Sequence, residues 1–430
     1  MKYIIFLILL ISSFASLPLK AQSSYEIYYL QGDYDKILES TASLADSTDY
    51  FWNAVALNAQ GEVLESIRIL EDGLVKYEND SLQQMLLGDL YFKTGQYAKA
   101  KPLLYRFRSD PERFIKLIRV LEFESDNKQA ISLLEKQLLK DSLNIEYLSR
   151  LGDNYLEIDW ILNARESFNK LIRINPGDIV TLGKLANIHL RLIEPETAIM
   201  ICNKAMAYDS TNRTIIKIRG IAAFRIGDFE HAQSDLSYLI ENGDSSIATL
   251  KHLGISEYKS YYYKDAEDHL HLAHMKDTSD HEICYFLGKV LVYNEAPEEG
   301  LRYLILADSL IQPNPEIRSA ILAEQASAYV DLNQNEKGLE LYTQAFDESP
   351  RPEYLFFIAS LYQHRFKNDS KALEMYQVFL DSLPETEREF SPQGKNSQSI
   401  TLKRTAELNI EKLREELFFN GELGKDSIQD

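Results

Sequence analysis

Three histidines, His269, His271 and His274, stand close to Asp268 in one short stretch of the chain. On a helix, His271 and His274 share a face and could share a metal ion, whereas His269 points elsewhere. A metal site also needs further ligands at matching geometry and a supporting shell around them. The plainer reading is a solvated outer helix, and neither a metal nor another cofactor is expected. The only cysteines, Cys202 and Cys284, are too few for a disulfide framework and read as buried packing residues. The chain shows no phosphate-cradling glycine loop, no Gly-x-Ser-x-Gly elbow and no His-Glu-x-x-His pair. Acidic pairs are frequent, but 66 acidic residues scatter such pairs by chance. The residues therefore point away from an enzyme.

The elements that would carry these side chains are helical. Only 12 prolines and 18 glycines interrupt 430 residues, few for a strand-rich fold with many turns. At 45% hydrophobic and 26% charged, the chain can bury a core. A formal net charge of -20 disfavours nucleic acid as a partner, because phosphates need a basic surface. The beginning reads as a signal peptide over residues 1–22: Lys2, an apolar run from Ile4 to Ile11, small residues and Pro18. Cleavage fits either near Ala15 or after Ala21-Gln22, with the later point favoured. The run is too short to span a bilayer, and no later segment is long and apolar enough. The expected location is the periplasm or the cell exterior, with no membrane insertion after cleavage.

Self-similarity is the dominant signal. Ala164, Ala198, Ala232, Ala266 and Gly300 recur every 34 residues, as do Gly152, Ala186, Gly220, Gly254 and Gly288. Small residues in two phases of one period imply stacked helical hairpins whose paired helices approach closely. The clearest copy, residues 145–178, carries Leu148, Leu151-Gly152, Tyr155, Ala164, Phe168, Leu171 and Pro176. Residues 81–112 follow with Leu87-Gly88, Tyr91, Gly95, Tyr97 and Ala100. Further copies begin near 179, 213, 247, 281, 319 and 353, and the phase extends back to 47. In this pattern the chain resembles the tetratricopeptide-repeat family.

The resemblance implies an all-α, right-handed superhelical solenoid of about ten hairpins over residues 47–384. Residues 23–46 read as a degenerate N-terminal hairpin, and 385–397 as a linker. Residues 398–420 read as an amphipathic capping helix, with Leu402, Ala406, Ile410, Leu413 and Leu417 on one face, and 421–430 as a frayed tail. Two departures stand out. Residues 113–144 read as a shortened copy, and four extra residues around Pro313 and Pro315 should tilt the stack or form a loop.

In the family, the first helix of each repeat lines a concave groove. Carried onto this chain, groove positions hold Lys217, Lys251, Arg191, Arg225 and Lys259, with Lys184 and Lys289 close in phase. The resemblance thus implies a basic inner stripe that would receive an acidic segment or a C-terminal carboxylate of a protein or peptide partner. One branch of the family clamps chaperone tails with a Lys and an Asn four residues apart. Here Lys217 is followed by Ile221 and Lys251 by Ile255, so that clamp is incomplete. Tyr261-Tyr262-Tyr263 is the densest aromatic run. Its last member sits at the turn position of Tyr97 and Phe229, and the first two are freer to be contact residues. Asp-Ser-Leu recurs at 80–82, 141–143, 308–310 and 381–383. It reads as helix capping at repeat joints and also resembles an exported-protein O-glycosylation signal. The function expected is a non-catalytic, exported interaction scaffold. The alternative is a structural subunit or accessory factor of a cell-envelope assembly, secretion or carbohydrate-processing machine. Oligomeric state is left open.

Overall fold

A computed structural model describes residues 24–311, 314–383 and 397–419 of the chain. The expected signal peptide, Pro313, most of the linker and the frayed tail lie outside the described residues. Those described are helical, with no strand among them, and no helix is long and apolar enough to cross a membrane. The chain divides into two compact units, Met1–Ile174 and Asn175–Asp430.

The first unit begins with two short helices, Ser24–Gln31 and Tyr34–Ser40, joined at Gly32, whose φ is +77°. Four hairpins follow: Ser47–Gln60 with Val63–Lys76, Ser81–Lys93 with Tyr97–Arg106, Pro111–Phe123 with Asn127–Leu138, and Ile145–Glu157 with Ile161–Ile174. The second unit repeats the arrangement. Its hairpins are Ile179–Arg191 with Pro195–Met206, Arg213–Arg225 with Phe229–Glu241, Ile247–Lys259 with Tyr263–Lys276, and His281–Tyr293 with Pro297–Leu310. Two more, Pro315–Asp331 with Asn335–Glu348 and Pro352–His364 with Asp369–Ser382, precede the helix Ser397–Phe419.

Eight of the ten described hairpins start with a side-chain cap, those beginning at Ile247 and Pro352 being the exceptions. Asp110, Asn144, Asp178, Asn212, Asp280 and Asn314 each accept hydrogen bonds from backbone N–H groups of the first turn. This satisfies donors that the helix itself leaves open. At the sixth joint Ser246 stands in the cap position without bonding, and Asp244 accepts its N–H instead. The two helices then meet where side chains are smallest. A Cβ on Gly152 would lie 2.5 Å from the Phe168 ring, and one on Gly288 would lie 2.8 Å from Leu304. Ala164, Ala198, Ala232 and Ala266 are fully buried at the partner phase.

The structure moves both irregularities. The shortening lies in the helix Tyr97–Arg106, only 10 residues with Pro102 inside it. Residues 113–144 belong to helices of ordinary length, and the 34-residue cap period resumes at Asp110. The four extra residues neither form a loop nor start a new element. They lengthen Pro315–Asp331 to 17 residues where the other first helices of the unit have 13. Four residues are close to one helical turn, so the added segment returns to the same face.

The Asp-Ser-Leu tripeptide caps a helix only at Asp80, which accepts from Gln83 N. At 141–143 the cap is Asn144, and the other two copies sit at helix C-terminal ends. The last helix lays Ala406, Ile410 and Leu413 against Phe356, Ala359, Tyr376 and Phe379 of the final hairpin, and Asn409 Nδ2 donates to the Tyr376 hydroxyl at 3.0 Å. Apolar surface that no further hairpin covers is buried there.

Replacing Gly152 by Val should drive side-chain atoms into the Phe168 ring and cost about 1–3 kcal/mol, read as a lower urea midpoint by circular dichroism. Gly183→Ala should leave the midpoint near its original value. Its Cβ would meet only the flexible tip of Ile215, at 3.2 Å.

Candidate functional site

The seven basic residues singled out from sequence all lie in the second unit, on the first helices of consecutive hairpins. Adjacent first helices of this unit touch one another along the array more closely than the second helices do. The first helices therefore take the inner side of the unit, and the basic residues stand in a row along it.

Most of that row is engaged with the neighbouring repeat. Lys217 Nζ donates to Asp244 Oδ2 at 3.2 Å and to Ser246 Oγ at 2.7 Å. Lys251 Nζ reaches Asp280 Oδ2 at 2.8 Å and Glu282 Oε2 at 2.6 Å. Asp280 is the N-cap of the next first helix, so one carboxylate both starts a helix and pins the preceding one. Lys289 pairs closely with Glu324 and lies over the rings of Tyr285 and Tyr258, at 5.2 and 5.5 Å. Lys184 and Arg191 have partners of their own as well.

Burial acts on these ammonium groups in opposite directions according to what faces them. For Lys251 and Lys289 burial pushes the pKa down, but the facing carboxylates outweigh it and hold both above the ordinary lysine range. For Lys259 burial and then the charge of Lys289 combine, and its pKa is lowered. Lys259 Nζ lies 5.8 Å from the Tyr258 ring centre and 5.7 Å from that of Phe286. Among the described residues no carboxylate comes within ion-pair distance of it. Arg225, the equivalent residue one repeat earlier, donates from Nη1 to the Leu190 carbonyl at 2.7 Å, and likewise has no carboxylate partner among the described residues. The structure thus brings Lys259 and Lys289 together, ties Lys217 and Lys251 to the next repeat, and leaves Arg225 and Lys259, among the described residues, with no carboxylate within ion-pair distance.

The acceptors Asp244 and Asp280 were not singled out from sequence, although Asn212, Ser246, Asp280 and Asn314 recur every 34 residues and carry that signal. Glu324 lies within the lengthened helix, out of phase, and carries none. His269 leaves the histidine cluster, while His271 and His274 stay together. His269 pairs with the buried Glu257 at 2.8 Å, and His271 and His274 both meet the Tyr303 ring edge-on, at 5.8 and 5.1 Å. No group of three metal-ligating residues occurs among the described residues. Cys202 and Cys284 are separate, buried thiols, pushed up to about 12 and about 11, burial being the first cause.

Asp244 gives a pH prediction. Burial raises its pKa, but the amide and hydroxyl of Ser246 and the ammonium of Lys217 outweigh that and bring it to about 2. A carboxyl depressed when folded contributes stability that is complete above its unfolded pKa of about 3.9 and is lost as pH falls through the folded value. Lys217→Met removes part of the depression, so acid unfolding followed by circular dichroism should begin at a higher pH than in the parent. Coincident acid transitions would show that the pair contributes nothing.

No curated protein matches this chain. Solved structures do. YrrB, described as a tetratricopeptide-repeat protein with an unusual peptide-binding site, aligns with 44% of this chain and 96% of its own at 22% identity, with a TM-score of 0.39. A tetratricopeptide repeat protein from Parabacteroides merdae aligns over 59% and 97% at 15% identity and a TM-score of 0.41. The APC/C Cut9–Hcn1 hetero-tetramer aligns over 93% and 98%, also at 15% identity, with a TM-score of 0.44. The tetratricopeptide-repeat family matches residues 145–178, the hairpin whose Gly152 and Phe168 meet most closely. Repeats of this type form protein–protein interaction scaffolds and are typically non-catalytic. Residues 145–178 are thus a tetratricopeptide repeat, set among helical hairpins of the same build.

Proposed function

We propose that the chain is a non-catalytic scaffold, exported to the periplasm or cell surface, that holds a protein or peptide partner along the inner side of residues 175–430. The observation that carries this reading is the pair Arg225 and Lys259. They occupy the same position on adjacent repeats, and neither has a carboxylate within ion-pair distance among the described residues, whereas Lys217, Lys251 and Lys289 do. An acidic segment laid across these repeats would supply the missing counter-charges. Phe224, Tyr258 and Phe286 beside them lower the local dielectric, which strengthens such a contact. Elsewhere the strongly acidic surface repels an acidic partner, and this favours one register over others. Export is supported by the Lys2 and Ile4–Ile11 pattern followed by small residues.

Affinity capture from cell-envelope extract tests the reading. The double reversal Arg225→Glu/Lys259→Glu should reduce capture of a partner roughly tenfold or more and weaken its salt dependence. Lys251→Met should leave capture near the parent level, because Lys251 is already neutralised by its own chain. Capture unaffected by the reversal, or abolished equally by both variants, would contradict the proposed anchor.

A further inference from the structure

A groove of about 820 Å³ opens along one edge of the second unit, between the turns that follow Arg213–Arg225 and Ile247–Lys259. Its size lies within the roughly 300–1,000 Å³ of small-ligand sites. Hydroxyl and amide groups of Gln233, Ser234, Ser237 and Ser260 line it, with the rings of Tyr261 and Tyr262 at its rim. Phe229 adds a third ring to the lining, and no Leu, Ile, Val or Met lines it. Tyr261 is 78% exposed and Tyr262 54%, so hydrophobic burial does not explain either ring. The backbone that carries them is fixed in the turn. The Tyr261 amide donates to the Tyr258 carbonyl at 3.1 Å and the Tyr262 amide to the Glu257 carbonyl at 2.8 Å. Behind them, Tyr263 stacks on Tyr293 with ring centres 4.7 Å apart and planes 6° from parallel, and Tyr261 meets Tyr263 edge-on.

We propose that this groove binds a neutral oligosaccharide. Serine and tyrosine hydroxyls and a glutamine amide both donate and accept, as sugar hydroxyls do. Exposed tyrosine faces offer flat apolar platforms with a polar tip, suited to the C–H face of a pyranose ring. A peptide would look for aliphatic pockets to seat its side chains, and the lining supplies none. Asp228 and Glu230 also border the groove against the single cation Lys259, in a chain of net charge -20. Carboxylates accept strong hydrogen bonds from hydroxyl groups but repel an acidic sugar or an acidic peptide. The site is therefore distinct in ligand class from the inner basic row. Only Lys259 borders both, and it is left unchanged in the test.

Saturation-transfer difference NMR on the full chain, with neutral gluco-, manno- and galacto-trisaccharides as probes, tests the proposal. A galacturonate trisaccharide serves as the acidic comparator. At least one neutral trisaccharide should receive saturation and outbind the galacturonate. Tyr261→Ala/Tyr262→Ala should weaken its binding roughly tenfold or more. Both rings are exposed, so the double variant should keep the parent helical spectrum, and Gln233→Ala should weaken binding by an independent route. Absence of transfer to every neutral trisaccharide overturns the proposal. Binding unchanged in the tyrosine variant, or tighter binding of the uronate, overturns it as well.

Discussion

The rest of the fold depends on the close approach of two helices at positions that have no room for a side chain. At Gly152, Gly254 and Gly288 the space that a Cβ would fill is already taken by Phe168, Leu270 and Leu304. That approach brings each hairpin's apolar residues into one seam, but a single hairpin cannot cover its own outer face. Burial then requires a neighbour, and the neighbour requires another. The array follows from this local constraint, and the helix Ser397–Phe419 ends it by laying one apolar stripe on the last hairpin.

Polar chemistry adds register to a stack that apolar contact alone would hold loosely. Hydrophobic burial is nondirectional, and two hairpins could slide along their seam at little cost. Capping residues and basic residues remove that freedom together. Asp280 holds the start of one helix and the ammonium of Lys251 from the preceding repeat. In the first unit the polarity of the link is reversed. Asp89 accepts from Arg113 and Lys116 on the next first helix, and Glu122 accepts from Arg150 and Asn154. Both arrangements neutralise inner-face charges internally, so a row of lysines read along the sequence overstates the free positive charge of the surface. What remains for a partner is the smaller set whose carboxylate neighbours are absent among the described residues.

The hairpins themselves were legible because their requirements are local and repeated. A small residue every 34 positions in two phases cannot arise from a single packing accident, and the same residues meet in the structure. The irregular repeats were less legible. Residues 113–144 read as a short copy, yet the shortening lies one helix earlier, in Tyr97–Arg106, because phase is lost before it becomes visible. The four extra residues near Pro315 read as a tilt in the stack or a loop, since prolines usually interrupt helices. Pro315 instead occupies the first helical position, where its missing N–H costs nothing, and the helix simply grows by about one turn.

By itself, the sequence determined the helical class, the period, the hairpin contacts and the kind of protein this is. Each depends on residues near one another in the chain or repeated at one interval. Only the tertiary structure decided which lysines are neutralised, that His269 meets Glu257 while His271 and His274 meet Tyr303, and that Tyr261 and Tyr262 rim an open groove. Those outcomes depend on side chains from different repeats meeting in space. Interaction between charges or rings depends on a separation of a few ångströms, which a 34-residue interval does not specify.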